Sequence, residues 1–234
     1  MIHLTNGELF FEKIGVNVPE ILLPAGENDI WENWAVVACD QYTSQPEYWE
    51  EVSALTESYP SAYHLMLPEI YLDAADADQR IERINKTMDQ YLASGILKKE
   101  KPGFILVERD TKLSPVRHGL VMALDLEAYD YTKGSGSLIR ATEGTVEERI
   151  PPRMKIRKHA ALEMPHVMIL IDDPGKTVVE PLLGRDFPVV YDFDLMQDGG
   201  HVRGRHISDP SVIQSVAEAL AELAAPAHFT EKYK

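Results

Sequence analysis

Cysteine, long apolar runs and positive charge are all scarce in this chain of 234 residues. Cys39 is the single cysteine, so no internal disulfide can form, and this favours a reducing compartment. The longest apolar runs, residues 34–39 and 167–171, are far shorter than the roughly 20 residues that a transmembrane helix needs. Residues 1–15 lack the basic and apolar regions of a secretory signal. We therefore expect a soluble, cytoplasmic protein.

The shortage of positive charge restricts the partners that the chain can bind. The sequence has 23 Lys and Arg against 38 Asp and Glu, a formal net charge of −15. Proteins that bind nucleic acid or anionic lipid generally present basic surfaces. The composition therefore argues against nucleic acid and membrane as partners. Small anionic ligands remain possible partners, provided that positive charge is concentrated at one place.

One segment does concentrate positive charge, and we call residues 140–158 the basic block. It holds six of the 23 basic residues within 19 positions, and the rest of the chain then has 17 basic and 35 acidic residues. A phosphorylated ligand would meet favourable charge here and repulsion elsewhere. The basic block is therefore the best candidate for a functional site.

Helical and strand patterns interleave along the chain without a regular βαβ order. This predicts an α+β or mixed α/β fold, with a mixed sheet and flanking helices. We expect one globular unit over residues 1–234, with a subdivision near 128–138 as the alternative. The polar end of the chain fits a natural tail or a chain cut from a longer one. Helices are predicted at 46–56, 76–94 and 210–224, and strands at 34–39, 63–67, 104–107, 119–126, 167–171 and 189–195.

The basic block has its own local signals. Thr145 and Glu148 have the spacing of a capping box, so Thr145 is predicted to start a short helix. Pro151 and Pro152 would stop that helix. Pro152 would then begin a new helix that continues through residues 153–164. The block is thus predicted to be a turn that leads into a helix.

Arg153 and Arg157 lie four positions apart on this predicted helix and so share a face. Two guanidiniums close to a helix N-terminus can bind a phosphate group. The alternative is a solvated helix face whose cations pair with the many carboxylates of the chain. The predicted phosphate-binding residues are Arg140, Thr145, Arg149, Arg153, Arg157 and Lys158.

Two carboxylates are candidate catalytic groups. Glu143 lies between Arg140 and Arg149 and can act as a base for a hydroxyl nucleophile, or it can form a local ion pair. Asp40 follows a predicted buried strand, a position that often borders a ligand crevice in α/β folds, although it can also stabilise a turn. Cys39 has no histidine near it in the sequence, so we interpret it as a structural thiol.

A second candidate site lies near the end of the chain. Asp192 and Asp194 alternate on a predicted strand, and carboxylates in this arrangement can hold Mg²⁺. A half-exposed strand with no metal shows the same alternation. A second small basic cluster, which could oppose the basic block, consists of His201, Arg203, Arg205 and His206.

Three stretches resemble one bacterial family. They are NWAVVACDQYTSQPEYWEEV, YPSAYHLMLPEIYL and IRATEGTVEERIPPRMKIRKHAALEMPHVMILIDDP, and together they span most of the chain. The family is called "domain of unknown function 1015", so the resemblance implies a fold and no assigned activity. Members are usually longer and carry a later Asp-Gly-His/Asn-His motif. The nearest string here, residues 198–201, departs at the third position.

The family's later motif is similar to that of proteins of the ParB and sulfiredoxin type, some of which are free-serine kinases that place nucleotide phosphates on such a loop. If the chain is an N-terminal portion of a longer member, part of any active site lies outside it. The hypothesis is a phosphotransferase that uses a nucleotide and Mg²⁺ and acts on a small molecule. The alternatives are a non-catalytic ligand-binding or interaction module, and an internal ion-pair network. A homo-oligomer is compatible with all three.

Overall fold

The computed structural model describes residues 14–26, 29–112, 114–130, 132, 137–139, 147–164, 166–196 and 199–223. In chain order, the strands are β1 (Val16–Asn17), β2 (Leu22–Pro24), β3 (Leu97–Lys99), β4 (Phe104–Thr111), β5 (Ser114–Val121), β6 (Ala123–Leu124), β7 (Val189–Asp194) and β8 (His201–Ile207). The α-helices are α1 (Asp29–Trp34), α2 (Pro46–Thr56), α3 (Ala77–Ala93), α4 (Ile150–Arg157), α5 (Glu180–Leu183) and α6 (Pro210–Leu223). Short 3₁₀ helices lie at Ala62–Leu65, Glu69–Tyr71, Leu126–Ala128 and Glu147–Arg149.

The main sheet has the strand order β5-β4-β8-β7, with antiparallel neighbours. β4 and β5 form the hairpin that the sequence predicted, with Val107 opposite Gly119. Two further antiparallel pairs join β1 to β6 and β2 to β3. The predicted α+β fold class is confirmed, and these strand pairs are antiparallel rather than mixed.

A helical core packs beside the sheet, formed mainly by α1, α2 and α3. Helix α3 buries the side chains of Ile81, Ile84, Met88 and Tyr91. These positions recur every three or four residues, so one apolar stripe faces inward. The helix ends before Gly95, which has a positive φ of 74° that glycine adopts without strain. The predictions of helices at 46–56 and 76–94 are confirmed.

A second core lies between the main sheet and α6. Phe104, Leu106 and Ile207 come from β4 and β8, and they pack with Val212 and Val216 of α6. The predicted closing helix is thus confirmed, with the bounds Pro210–Leu223. Its apolar face covers the end of the sheet where β4 begins and β8 ends.

Strand β7 connects the sheet to the helical core. Tyr191 and Phe193 pack on Trp31 of α1, with ring centroids 5.3 and 5.6 Å away. Asp192 and Asp194 alternate with them and face the other side of the sheet. The predicted strand is confirmed. Whether the chain is one domain or two stays a prediction.

Two predicted strands are wrong although the burial of their side chains is right. Residues 34–39 form the end of α1 and an irregular connection, and residues 63–67 largely belong to a 3₁₀ helix. Ser61 starts that helix because its hydroxyl accepts a hydrogen bond from the Tyr63 N–H. Trp34, Val37 and Leu65 are still buried in the helical core. Burial therefore came from tertiary packing and did not need a sheet.

The third wrong strand is residues 167–171, which form no strand and are exposed to solvent. Five apolar residues in a row predicted a buried strand. In the described part of the chain no strand pairs with them. A strand needs a neighbour for its backbone, and none of the described residues provides one there.

Candidate functional site

Helix α4 carries the centre of the basic block. It begins at Ile150, ahead of the two prolines, and ends at Arg157, so the predicted start at Pro152 and end at residue 164 are both wrong. Pro151 and Pro152 are tolerated because the first N–H groups of a helix have no partner within it. After Arg157 the chain turns, and the Ala160 N–H donates to the Arg157 carbonyl at 3.1 Å.

The cations of α4 are paired with carboxylates from three places. Arg153 pairs with Glu69, and Arg157 pairs with Glu163. Nζ of Lys155 lies 3.0 Å from Oδ1 of Asp78 in α3. Arg153 and Arg157 share a helix as predicted, but they engage different acidic partners instead of one shared anion. This arrangement agrees with the ion-pair alternative for these side chains.

Several predicted site residues, the catalytic candidate Glu143 among them, cannot be placed. Arg140, Glu143 and Thr145 lie outside the described residues. Arg149 ends the 3₁₀ helix Glu147–Arg149, but its side chain is not described. Lys158 follows α4 and is exposed. The roles of these residues stay predictions.

Folding places Asp40 and Arg153 in one neighbourhood around Cys39. The Glu69 N–H donates to the Cys39 carbonyl at 2.8 Å, which fixes the 3₁₀ helix Glu69–Tyr71 against this loop. Burial raises the pKa of the Cys39 thiol, as do the charges of Asp40 and Glu69, while the charge of Arg153 lowers it. The net rise keeps the thiol protonated, which agrees with a structural cysteine. No motif or spacing in the sequence indicated that Glu69 is a site residue.

The loop that carries Asp40 is held by aromatic side chains. Nε1 of Trp49 donates to the Gln41 carbonyl at 3.1 Å, and Trp49 is fully buried. Tyr42 has a positive φ of 53° and stacks on Tyr48 with ring centroids 3.9 Å apart. A non-glycine residue in this region is uncommon and needs support from its surroundings. Asp40 itself is exposed at the surface of this loop.

A cavity of about 390 Å³ borders helix α4. Its volume is within the range of small-molecule sites. The apolar lining of this cavity comes from α3, from the residues just before α3, and from the two prolines of α4. Its charged lining consists of three carboxylates and one ammonium, which are Asp73, Asp78, Glu148 and Lys155.

The predicted metal residues Asp192 and Asp194 surround His201 of β8. The Nε2 atom lies 2.7 Å from Asp192 and the Nδ1 atom 2.8 Å from Asp194. Both ring nitrogens can donate together only when the imidazole is protonated. Within the described ranges, no three His, Cys, Asp or Glu side chains are arranged to hold a metal ion. Metal binding here stays a prediction.

His201 is expected to make stability depend on pH. The hydrogen bond to Asp194, and the contact with Asp192, raise the pKa of His201 above its ordinary value of 6.5. A raised folded-state pKa stabilises the fold fully below 6.5, and the contribution disappears as pH rises through the folded value. Wild type should therefore be more stable than His201→Gln at low pH. We expect this difference in the free energy of unfolding to decrease as pH rises from 6.5 through the folded-state pKa of His201. Denaturant titrations at several pH values measure it, and an equal difference at every pH would contradict the assignment.

The second basic cluster does not form as predicted. Arg205 is buried, pairs with Glu108, and donates to the Arg185 carbonyl at 2.9 Å. His206 lies next to it in β8 but faces the other side, with Nε2 3.0 Å from the Lys101 carbonyl oxygen. Because successive strand residues alternate, the four cations cannot share one surface.

One family model matches residues 23–226, and its description is "Protein of unknown function (DUF1015)". The chain belongs to this family. The match includes the Asp40 loop, α4 and the segment 167–171, so the resemblance seen in the sequence is confirmed. No curated protein and no solved structure matches the chain. Membership of DUF1015 carries no activity with it.

None of the described helices is long and apolar enough to cross a bilayer.

Proposed function

We propose that the chain binds a small phosphorylated molecule beside α4, with Arg153 as the main ligand, and transfers a phosphoryl group from it. Glu69, whose side chain is only 9% exposed, orients Arg153, whose own side chain is 43% exposed. The ion pair engages Nη2, and a guanidinium has five N–H donors in a fixed plane. A buried carboxylate that orients a half-exposed arginine is the observation that carries this proposal.

The other cations of α4 support the same ligand. The pairs of Lys155 with Asp78 and of Arg157 with Glu163 are exposed on both sides. Exposed ion pairs contribute about 0–1 kcal/mol, so a phosphate dianion can displace the carboxylates at little cost. Charge-assisted bonds to phosphate are stronger than neutral hydrogen bonds. The observed pairing is thus compatible with an anion site that is closed by its own carboxylates.

In the proposed reaction Asp40 accepts the proton of an acceptor hydroxyl. A new P–O bond forms to that oxygen as the P–O bond to the leaving oxygen of a nucleotide breaks. Arg153 offsets charge on the transferred group, and Mg²⁺ that enters with the nucleotide would supply further positive charge there.

A non-catalytic binding module is the second candidate. It is favoured by the pairing of Arg153, Lys155 and Arg157 with carboxylates of the chain, which gives the site a stable unliganded form. Such a module would bind phosphorylated ligands and turn over none of them. The same surface then regulates a partner instead of a reaction.

ATP with Mg²⁺ is expected to raise the melting temperature of the wild-type chain. At about 100 times the dissociation constant, binding to the folded state adds about 2.7 kcal/mol, or roughly 5–10 °C. The Arg153→Ala variant should lose this shift, and Arg153→Lys should recover only part of it because lysine lacks the planar fork. Differential scanning fluorimetry with ATP, ADP and sugar or amino-acid phosphates provides the measurement.

Lys99→Ala is the matched control, since it removes one cation from an exposed ion pair with Glu20. It should keep the full ligand shift. Asp40→Asn should keep binding and lose turnover in an assay of nucleotide hydrolysis or transfer. Binding by wild type without any turnover would favour the non-catalytic module. A melting temperature that does not change with any of these ligands would contradict both proposals. It would favour the remaining alternative, an internal ion-pair network.

A further inference from the structure

Two arginines lie directly opposite each other on the main sheet, and we call them the arginine pair. Arg109 of β4 and Arg117 of β5 are cross-strand partners in the antiparallel hairpin. Directly opposite residues lie on the same face of a sheet, with Cβ atoms about 4.5–5.5 Å apart, and like charges in this position are destabilising. The hairpin therefore keeps an arrangement that works against its own stability.

No carboxylate offsets these two charges among the residues that the structure describes. Neither guanidinium forms an ion pair with a described Asp or Glu, although the chain has 38 acidic residues against 23 basic ones. The arginines that do pair with carboxylates are Arg80, Arg153, Arg157, Arg203 and Arg205. A local rule that is broken without compensation is expected at functional sites.

The end of the β7–β8 connection holds one member of the pair in place. Nη2 of Arg109 donates to the Gly199 carbonyl at 3.2 Å, and this half-buried side chain lies opposite the exposed Arg117. The Nε–H of Arg109 is buried and has no hydrogen-bond partner within the described ranges. A buried donor without an acceptor is costly, so an incoming acceptor would be favoured here. Arg109 is thus preorganised, and the exposed Arg117 can close on a ligand.

Space for a ligand lies next to the arginine pair on the same face of the sheet. Gly119 follows Arg117 by two residues in β5 and therefore shares its face. A Cβ atom on Gly119 would meet nothing within 4 Å. Val107, which lies opposite Gly119, is half-buried. A group attached to a bound anion can therefore extend over Gly119.

We propose that the arginine pair binds the phosphate group of a small phosphate monoester, through residues that the proposed site beside α4 does not use. A phosphate monoester carries up to two negative charges, so it balances both guanidiniums, whereas a carboxylate balances one. The planar forks of the two arginines match the phosphate oxygens. The bound dianion replaces the repulsion within the pair by two attractions. This proposal does not rest on the function proposed for α4.

Titration of the full chain with glycerol phosphate tests the site, followed by NMR of the arginine Nε–H groups. At about pH 8 this monoester is a dianion, because its second pKa is about 6. The signals of Arg109 and Arg117 should shift and saturate, and acetate at the same concentrations should not reproduce this. Arg109→Gln and Arg117→Gln should each weaken binding by more than roughly tenfold.

Two control variants separate the arginine pair from other cations. Arg83→Gln removes the same charge from an exposed position in α3 and should bind as wild type does. Arg153→Ala removes the main ligand of the proposed α4 site and should leave the shifts of the arginine pair intact. Signals of the pair that do not move, or that move equally with acetate, overturn the proposal. Binding that Arg153→Ala abolishes and Arg117→Gln preserves also overturns it.

Arg117→Glu tests the repulsion argument, because it turns a like-charge pair into an opposite-charge pair. Without ligand this variant should melt roughly 1–4 °C above wild type, since opposite charges directly across a sheet are favourable. Glycerol phosphate should raise the melting temperature of wild type and leave that of Arg117→Glu unchanged, in the Arg153→Ala background as well. A variant that melts below wild type, or that keeps the ligand response, overturns the proposal.

Discussion

Replacing Trp49 with alanine is expected to lower the free energy of unfolding by about 3–5 kcal/mol, the usual cost of deleting a buried aromatic side chain. Trp49 is fully buried in α2 and packs edge-on against Tyr48, with ring centroids 5.2 Å apart. The change also removes the hydrogen bond to the Gln41 carbonyl. The melting temperature should fall by roughly 6–20 °C.

Chemical denaturation measures this loss, with two further variants for comparison. Leu55→Ala lies in the same helix at a residue that is 48% exposed, and it should stay within about 0.5 kcal/mol of wild type. Trp49→Phe keeps most of the apolar volume and loses the indole N–H, so it should fall between wild type and Trp49→Ala. An unchanged midpoint for Trp49→Ala would contradict the packing described for the helical core.

The same variants also separate stability from the proposed site. The hydrogen bond from Trp49 holds the loop that carries Asp40. If the loop matters for the proposed reaction, Trp49→Phe should reduce turnover more than ligand binding, because Asp40 would act on the acceptor and Arg153 on the phosphate. Equal effects on both would indicate a general loss of folding.

Gly204→Ala is expected to cost about 1–3 kcal/mol, because β8 has no room for a side chain at this position. A Cβ atom on Gly204 would overlap three ring carbons of Tyr191. That ring cannot move aside easily, since it packs against Trp31 and Phe193. Thermal unfolding should show a drop of roughly 2–12 °C.

The sheet provides a matched control for this substitution. Gly119 and Gly204 flank Val107 on its two sides, one in β5 and one in β8. A Cβ atom on Gly119 would meet nothing within 4 Å. Gly119→Ala should therefore be neutral or stabilising by about 0.4–1 kcal/mol, because it restricts only the unfolded chain.

A double variant tests the cause of the Gly204 effect. Tyr191→Ala removes the ring that the new methyl group would strike, so the cost of Gly204→Ala should largely disappear in that background. Residues in direct contact show such coupling, whereas independent sites add. Additive costs would place the strain of Gly204→Ala elsewhere in the sheet.

The elements that the sequence predicted correctly are those with strong local signals. Helix α3 has a regular apolar stripe and a glycine after its last turn, and α2 begins at Pro46. Strand β4 of the β4–β5 hairpin begins with a continuous apolar run, and β7 alternates apolar and acidic residues, and both patterns are typical of strands. Local periodicity and end signals act over a few residues, so they can be read without the fold.

The ion-pair partners at the candidate site could not be predicted from the sequence, because they come from residues far apart in the chain. That Arg153 and Arg157 bind one phosphate stays a prediction, and in the folded chain Arg153 is paired with Glu69, which lies 84 positions away. Nothing near Glu69 in the sequence indicates this. The sequence located the basic block and could not say which carboxylates would reach it.

Composition and local pattern determined the α+β class, the acidic character of the chain and the position of its basic block, and the resemblance of three stretches indicated its family. Tertiary structure alone decided how the apolar stretches are used. Residues 34–39 and 63–67 reach the core without a sheet, because their backbone bonds within helical turns and, at the Cys39 carbonyl, with the distant Glu69 N–H. Residues 167–171 have the same apolar character but stay exposed. A strand becomes a strand only when another strand lies beside it, and that neighbour is chosen by the whole fold.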